Sequence, residues 1–144
     1  MPEIVIYSPF SDLIESLRGG LIVSCQASEE SPFHGPEFMA AFARAAEISG
    51  AAGLRVNGSW DIQAVREATN LPIIGIYKRK RKGYPVYITP TVSAARRVVE
   101  AGAHIVAIDA THRDRPDGST PEKMIDEIHT ELGVPVMADI DSVK

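Results

Sequence analysis

The sequence predicts an α/β fold with a parallel sheet built from about five βα units. Three observations carry this. Short apolar runs alternate with stretches of helical, 3.6-residue period, and the pair recurs at roughly 30 residues. Cap and turn residues stand at the joins. The chain has 144 residues, 44% of them hydrophobic, enough to fill a core within one domain over residues 1–144.

The first strong strand is Leu21–Gln26, a near-continuous apolar run of the kind a strand covered on both faces shows. The loop SEESPFHGPEF leads to a helix through MAAFARAAEISG, ended by Gly50. The second strand is Gly53–Asn57, and its helix starts near Ser59 or Asp61 and runs through IQAVREAT. The third strand is Pro72–Lys78, followed by the basic run KRKRKG and the segment VYITPT. Thr91 or Ser93 caps the next helix, SAARRVVEAG, which Gly102 ends. The fourth strand is His104–Thr111, and the loop HRDRPDGST follows. In the helix PEKMIDEIHTEL, Pro121 suits the first turn and Thr120 the cap. The fifth strand is Val134–Ile140, and DSVK would open another helix. Before all of these, FSDLIESLRGG reads as a short extra helix and EIVIYS as a short strand or extension. No linker or domain boundary interrupts the series.

Repeated βα units argue for parallel strands joined by right-handed crossovers. Two architectures share that pattern: an open doubly wound sheet and a (β/α)8 barrel, which needs eight strands and about 250 residues. Composition excludes other classes. No apolar run reaches the roughly 18 residues of a membrane helix. The N-terminus lacks the basic, then apolar, layout of a signal peptide. The single Cys25 cannot form an internal disulfide and suits a reducing compartment, the cytoplasm. With 15 Lys and Arg against 19 Asp and Glu, the net charge of −4 argues against a dedicated nucleic-acid binder.

The strand ends carry the chemistry. The first strand ends in Gln26, the second in Arg55 and Asn57, the third in Lys78, the fourth in Asp109 and Thr111, the fifth in Asp139. With a period of two, Arg55 and Asn57 share a face, as do Ile74, Ile76 and Lys78, and Ala107, Asp109 and Thr111. Sites in α/β folds lie at the carboxyl ends of strands. A series of strands ending in polar groups there is hard to obtain from packing alone. For Asn57 and Thr111, simple contact with solvent or capping of the next helix explains the residue equally well. A lysine at the end of a buried strand can serve as a base or a Schiff-base nucleophile.

The segments GGLIVSCQ, AAGLRVNG, LPIIGIYKR, VYITPT, AGAHIVAIDATHRDRPDG and VMADID run in order from about Gly19 to the C-terminus. Together they resemble the N-acetylmannosamine-6-phosphate 2-epimerase family of bacterial sialic-acid catabolism. That resemblance implies a (β/α)8 TIM barrel and interconversion of N-acetylmannosamine-6-phosphate with N-acetylglucosamine-6-phosphate. It implies Lys78 as the catalytic proton-transfer group at sugar C2. It implies Gln26, Arg55, Asp109 and Asp139 as substrate-binding residues. Epimerisation at C2 needs ring opening, removal of the acidic C–H beside the C1 carbonyl, and reprotonation from the other face. Arg55 would stabilise negative charge developing on oxygen, and Gln26 and Asp109 would orient hydroxyl or amide groups. No metal and no other cofactor is required. The expected partners are a sugar phosphate and further copies of the chain, without nucleic acid or membrane.

In the family the barrel continues through three more strands after MADI, with a catalytic glutamate and the phosphate-binding loops. The chain is therefore expected to form an incomplete barrel of about five βα units with two open edges, which invite pairing. Two other functions compete: a Schiff-base aldolase using Lys78, and an inactive truncated barrel that binds sugar phosphates or self-associates.

The remaining features read as structural. Lys78 to Lys82 would form a solvated loop, apart from Lys78 itself. Cys25 reads as a small buried hydrophobe rather than a nucleophile. His34, His104, His112 and His129 lack metal-ligand spacing. His112 lies near the rim, within reach of a substrate. Arg113 to Gly118 reads as a structured loop with turn chemistry, whose arginines could also reach an anion.

Overall fold

The computed structural model describes residues 10–143. A short helix α1 (Ser11–Glu15) precedes β1 (Ile22–Cys25), α2 (Pro36–Ile48), β2 (Gly53–Asn57), α3 (Ser59–Ala68) and β3 (Ile73–Ile76). Then come α4 (Val92–Glu100), β4 (Ile105–Asp109), α5 (Pro121–Glu127) and β5 (Val136–Asp139). The strands form one sheet in the order β1-β2-β3-β4-β5, every pair parallel. The run EIVIYS and Lys144 lie outside the described residues. Residues 141–143 are not helical.

Sequential order separates the two candidate architectures. A doubly wound sheet reverses its strand order and places helices on both faces. Here α2 to α5 all pack on one face. Met39, Ala43, Ile62, Val65, Ala95, Val98, Met124 and Ile128 form one buried cluster with Leu54, Val56, Ile73, Val106 and Ile108 of the strands. The alternate strand positions point the other way. Ile74, Ile76, Ile105 and Ala107 make a second buried cluster, floored by Leu13 of α1 and Leu17 just after it and flanked by Ile22, Ile88 and Met137. Helices outside and a packed interior beneath a curled sheet are the layers of a barrel. No helix among the described residues is long and apolar enough to cross a membrane.

Helix ends follow the capping signals. Thr91 Oγ1 accepts from the Ala94 N–H (3.1 Å) and Thr120 Oγ1 from the Lys123 N–H (3.3 Å), with Pro121 in the first turn. Helix α2 begins earlier than the sequence suggests, at Pro36, which is preset for a first turn. Helix α3 starts at Ser59, one of the two expected starts, with Gly58 before it as the N-cap. Helix α5 runs into a π-helical turn, Ile128–Leu132. The Thr130 hydroxyl donates to the Asp126 carbonyl (2.9 Å) there and competes with the regular helical bonds. Gly133, at φ 66, supplies the left-handed residue that stops it.

The strands are mostly shorter than their apolar runs, ending at Cys25, Ile76 and Asp139, and past Ile76 the chain bonds the segment Tyr87 to Thr89 instead of a neighbouring strand. Only β2 keeps its expected bounds. The run Lys78 to Lys82 is not a free loop. It turns back on itself, with the Arg79 N–H donating to the Tyr87 carbonyl (2.8 Å) and an antiparallel bridge between Arg81 and Tyr84. Its charged side chains stay exposed, and the Lys80 ammonium sits 5.7 Å from the Tyr87 ring centroid.

Two predictions follow from this packing. A Cβ on Gly75 would lie 2.3 Å from Val98 Cγ1 and 2.7 Å from Ala103 Cβ. Gly75→Ala should therefore lower the unfolding free energy by about 1–3 kcal/mol, read from urea denaturation. The second concerns His104, whose Nδ1 accepts from the Ile73 N–H (3.0 Å) while the Arg66 guanidinium lies against the ring. Burial, and secondarily Arg66, push its pKa down. A depressed folded-state pKa means the neutral ring stabilises the fold above its ordinary value of about 6.5, and this is lost as pH falls through the lower folded value. The stability gap between the parent and His104→Asn should narrow between pH 7 and pH 5; a constant gap would contradict it.

Candidate active site

Period two puts the strand-end polar residues on the concave face. Arg55 alternates with the helix-facing Leu54 and Val56, and Asp109 with Val106 and Ile108. Asp139 stands in register beside Asp109, and Ser24 beside Arg55.

The sheet curls enough for β2 to meet β5 across this face. Arg55 and Asp139 form a bidentate pair, Nη1 to Oδ1 at 3.1 Å and Nη2 to Oδ2 at 2.6 Å, with Met137 Sδ 3.7 Å from Nη1. Their side chains are 22% and 31% exposed, so the pair is shielded but reachable. A planar fork matched to a carboxylate fixes both groups in orientation.

Asp109 and Asp139 are like charges on neighbouring strands, and each has its own guanidinium. Asp109 Oδ1 accepts from the Thr111 N–H (2.8 Å) and lies 3.9 Å from Arg115 Nη2. Arg115 is buried, and its Nη2 donates to the carbonyls of Asp109 and of Thr111, the latter at 2.9 Å. Burial pushes the Arg115 pKa down, opposed by Asp109, Asp117 and Glu122. Arg115 does not reach outward to an anion: its side chain turns inward and clamps the loop after β4, the structured loop that the sequence predicts. Arg113 does face solvent, but it pairs with Asp141 at 2.6 Å.

Gln26 Nε2 donates to Ser24 Oγ (3.0 Å), and its buried Oε1 has no donor among the described residues. Lys78 lies just beyond β3, exposed, and its Nζ has no hydrogen-bond or ion-pair partner among the described residues. Its backbone is pinned, since the Lys78 N–H donates to Asn57 Oδ1 (2.9 Å). Asn57 is therefore more than a residue meeting solvent. A cavity of about 490 Å³ opens beside Lys78, lined among others by Asn57, His34, Asp61, Trp60 and Arg97. Burial holds the Asp61 carboxyl above its usual range, with His34 opposing. Gln26, Arg55, Asp109 and Asp139 do not line this cavity, because they face the open concave side.

The other candidates have structural roles. Cys25 is buried, and burial pushes its thiol pKa up, which keeps it neutral. His34 Nδ1 lies 3.2 Å from the Ala27 carbonyl, and the His129 ring lies 5.6 Å from that of Phe10. His112 Nε2 is paired with Glu122 at 2.7 Å on the surface. Sequence reading missed Thr89, which is buried at φ 44 and bonded to Tyr77. Nothing in VYITPT marks it beyond its place between a strand and a helix.

Truncating Arg55 and Asp139 to alanine singly and together should give a coupling energy of about 1 kcal/mol by urea denaturation, shrinking in high salt because the pair is partly exposed.

Comparison with known proteins gives concordant findings. The model of a family described as "Putative N-acetylmannosamine-6-phosphate epimerase" matches residues 39–144. A protein of Thermosynechococcus vestitus named "Putative N-acetylmannosamine-6-phosphate 2-epimerase" is 53% identical over 133 residues, covering 92% of this chain and 58% of that one. One of the same name from Caldanaerobacter subterraneus is 47% identical over 132 residues, covering 91% and 56%. A solved structure of the N-acetylmannosamine-6-phosphate 2-epimerase from Clostridium perfringens superposes with a TM-score of 0.86 at 39% identity, over 90% of this chain and 56% of that one. The chain thus spans a little over half the length of the relatives it matches.

Proposed function

Because the chain belongs to the N-acetylmannosamine-6-phosphate epimerase family, we propose that it takes part in interconverting N-acetylmannosamine-6-phosphate and N-acetylglucosamine-6-phosphate. The fold is the corresponding part of a (β/α)8 barrel. The observation that carries the reading is a lysine without a hydrogen-bond or ion-pair partner among the described residues, just past β3 at the carboxyl rim of such a barrel whose concave face holds an oriented Arg–Asp pair.

In this reading Lys78 exchanges the proton at C2 of the open-chain sugar. That proton is acidic because its carbanion is conjugated with the C1 carbonyl. No carboxylate holds the Lys78 Nζ among the described residues, so the group can reach the substrate. Arg55 stabilises the oxyanion that develops at the carbonyl, and Asp139 holds its guanidinium plane. Asp109 and the orphaned Gln26 Oε1 orient hydroxyl or amide groups of the substrate. The residues supply acid–base and electrostatic chemistry, and the proposed reaction needs no redox step.

Self-association in solution belongs to the same proposal. The proposed compartment is the cytoplasm, where the lone buried thiol of Cys25 stays reduced.

Proton NMR of N-acetylmannosamine-6-phosphate in heavy water tests the reaction. Conversion and loss of the C2 proton signal are expected together, falling by at least about 100-fold in Lys78→Ala. A folded sample that neither converts nor exchanges, yet binds the sugar phosphate, would replace the epimerase reading with one of binding without turnover.

A further inference from the structure

We propose that Thr89 is a positioning residue for Lys78, acting through a backbone wedge driven between β3 and β4. The inference rests on the assignment of Lys78 as the proton-transfer group.

Strands β3 and β4 pair only at Ile74↔Ile105 and Gly75↔Val106. Beyond that they part, and the segment Tyr87 to Thr89 fills the gap. On one side it bonds the chain around Lys78. The Thr89 N–H donates to the Tyr77 carbonyl (2.9 Å), the Arg79 N–H donates to the Tyr87 carbonyl (2.8 Å), and Lys78 and Ile88 form an antiparallel bridge. On the other side the Asp109 N–H donates to the Ile88 carbonyl (3.0 Å). One residue, Ile88, therefore stands between the lysine and the aspartate of the rim, and the wedge sets their separation.

Thr89 does more than continue this ladder. Its Oγ1 accepts from the Tyr77 N–H (3.1 Å), so Thr89 satisfies both polar backbone groups of the residue preceding Lys78. It is fully buried and holds φ 44, a left-handed conformation that a β-branched residue adopts only when its surroundings over-determine it. Glycine would take that conformation without strain but would bring no hydroxyl. A threonine there keeps the acceptor that the Tyr77 N–H needs, since a buried backbone donor left unpaired is costly. With Asn57 Oδ1 on the Lys78 N–H, the backbone of Lys78 is fixed from two sides while its side chain stays free.

The test uses Thr89→Val, which keeps the β-branch and loses the acceptor, and Thr89→Ser, which keeps the acceptor. With N-acetylmannosamine-6-phosphate, Thr89→Val should lower kcat roughly 10- to 100-fold with KM within about twofold, and Thr89→Ser should recover most of the loss. If the unsubstituted chain does not turn over, that counts against the epimerase reading and leaves this one to NMR. In the 13C,15N-lysine-labelled chain, the amide and ε-methylene signals of Lys78, assigned with Lys78→Arg, should shift in Thr89→Val. They should return in Thr89→Ser, while those of Lys123 stay in place. Should Thr89→Val fail to fold, Thr89→Gly removes the hydroxyl and relieves the strain, and the same displacement is expected. Lys78 signals or a kcat that match the parent in a folded variant lacking the hydroxyl would overturn the proposal.

Discussion

Each right-handed crossover brings the chain back to begin its next strand at the same end of the sheet. Parallel strands in sequential order therefore deliver all their carboxyl ends to one rim. Much else in this molecule depends on that constraint. It leaves one face of every strand to the helices and turns the alternate residues toward the concave side. Toward the rim those alternate positions become polar, as at Arg55, Asp109 and Asp139, which still pair with neighbouring strands. Arg55, Asp109 and Asp139 lie in the carboxyl halves or middle of β2, β4 and β5, and Gln26 and Lys78 stand just past β1 and β3, so residues distant in sequence reach the same rim.

Gathering charges at a rim creates a local problem of repulsion. Asp109 and Asp139 are register partners on adjacent strands. The arrangement separates their counter-charges: Arg55 crosses the concave face to Asp139, and Arg115 rises from the loop after β4 beneath Asp109. Arg115 acts mainly through two loop carbonyls, a use of guanidinium that ties a loop to the strand before it. Lys78 belongs to neither pair.

The gap between β3 and β4 is the least regular part of the sheet and lies next to Lys78. Filling it with Tyr87 to Thr89 holds a strained, buried threonine in place and links the chain past β3 to the end of β4 through hydrogen bonds on both sides. Strain that persists in a well-bonded interior marks a position where geometry outweighs local preference.

The βα order, the helix caps at Thr91 and Thr120, the buried character of Cys25 and the strand-end polar residues were legible in the sequence by itself. Each depends on local period, propensity or turn chemistry, and neighbours along the chain decide those. Strand lengths were overestimated, as at Pro72–Lys78 against Ile73–Ile76, because apolar composition does not reveal where a partner strand stops. The local pattern alone left barrel and open sheet unresolved, since the two differ in strand order and in which face receives the helices. The Arg55–Asp139 pair, the inward turn of Arg115 and the bonds from Thr89 to Tyr77 were decided only by the tertiary structure. Arg55 and Asp139 meet across the sheet's curvature from positions 84 apart in the chain, and no local signal encodes that contact.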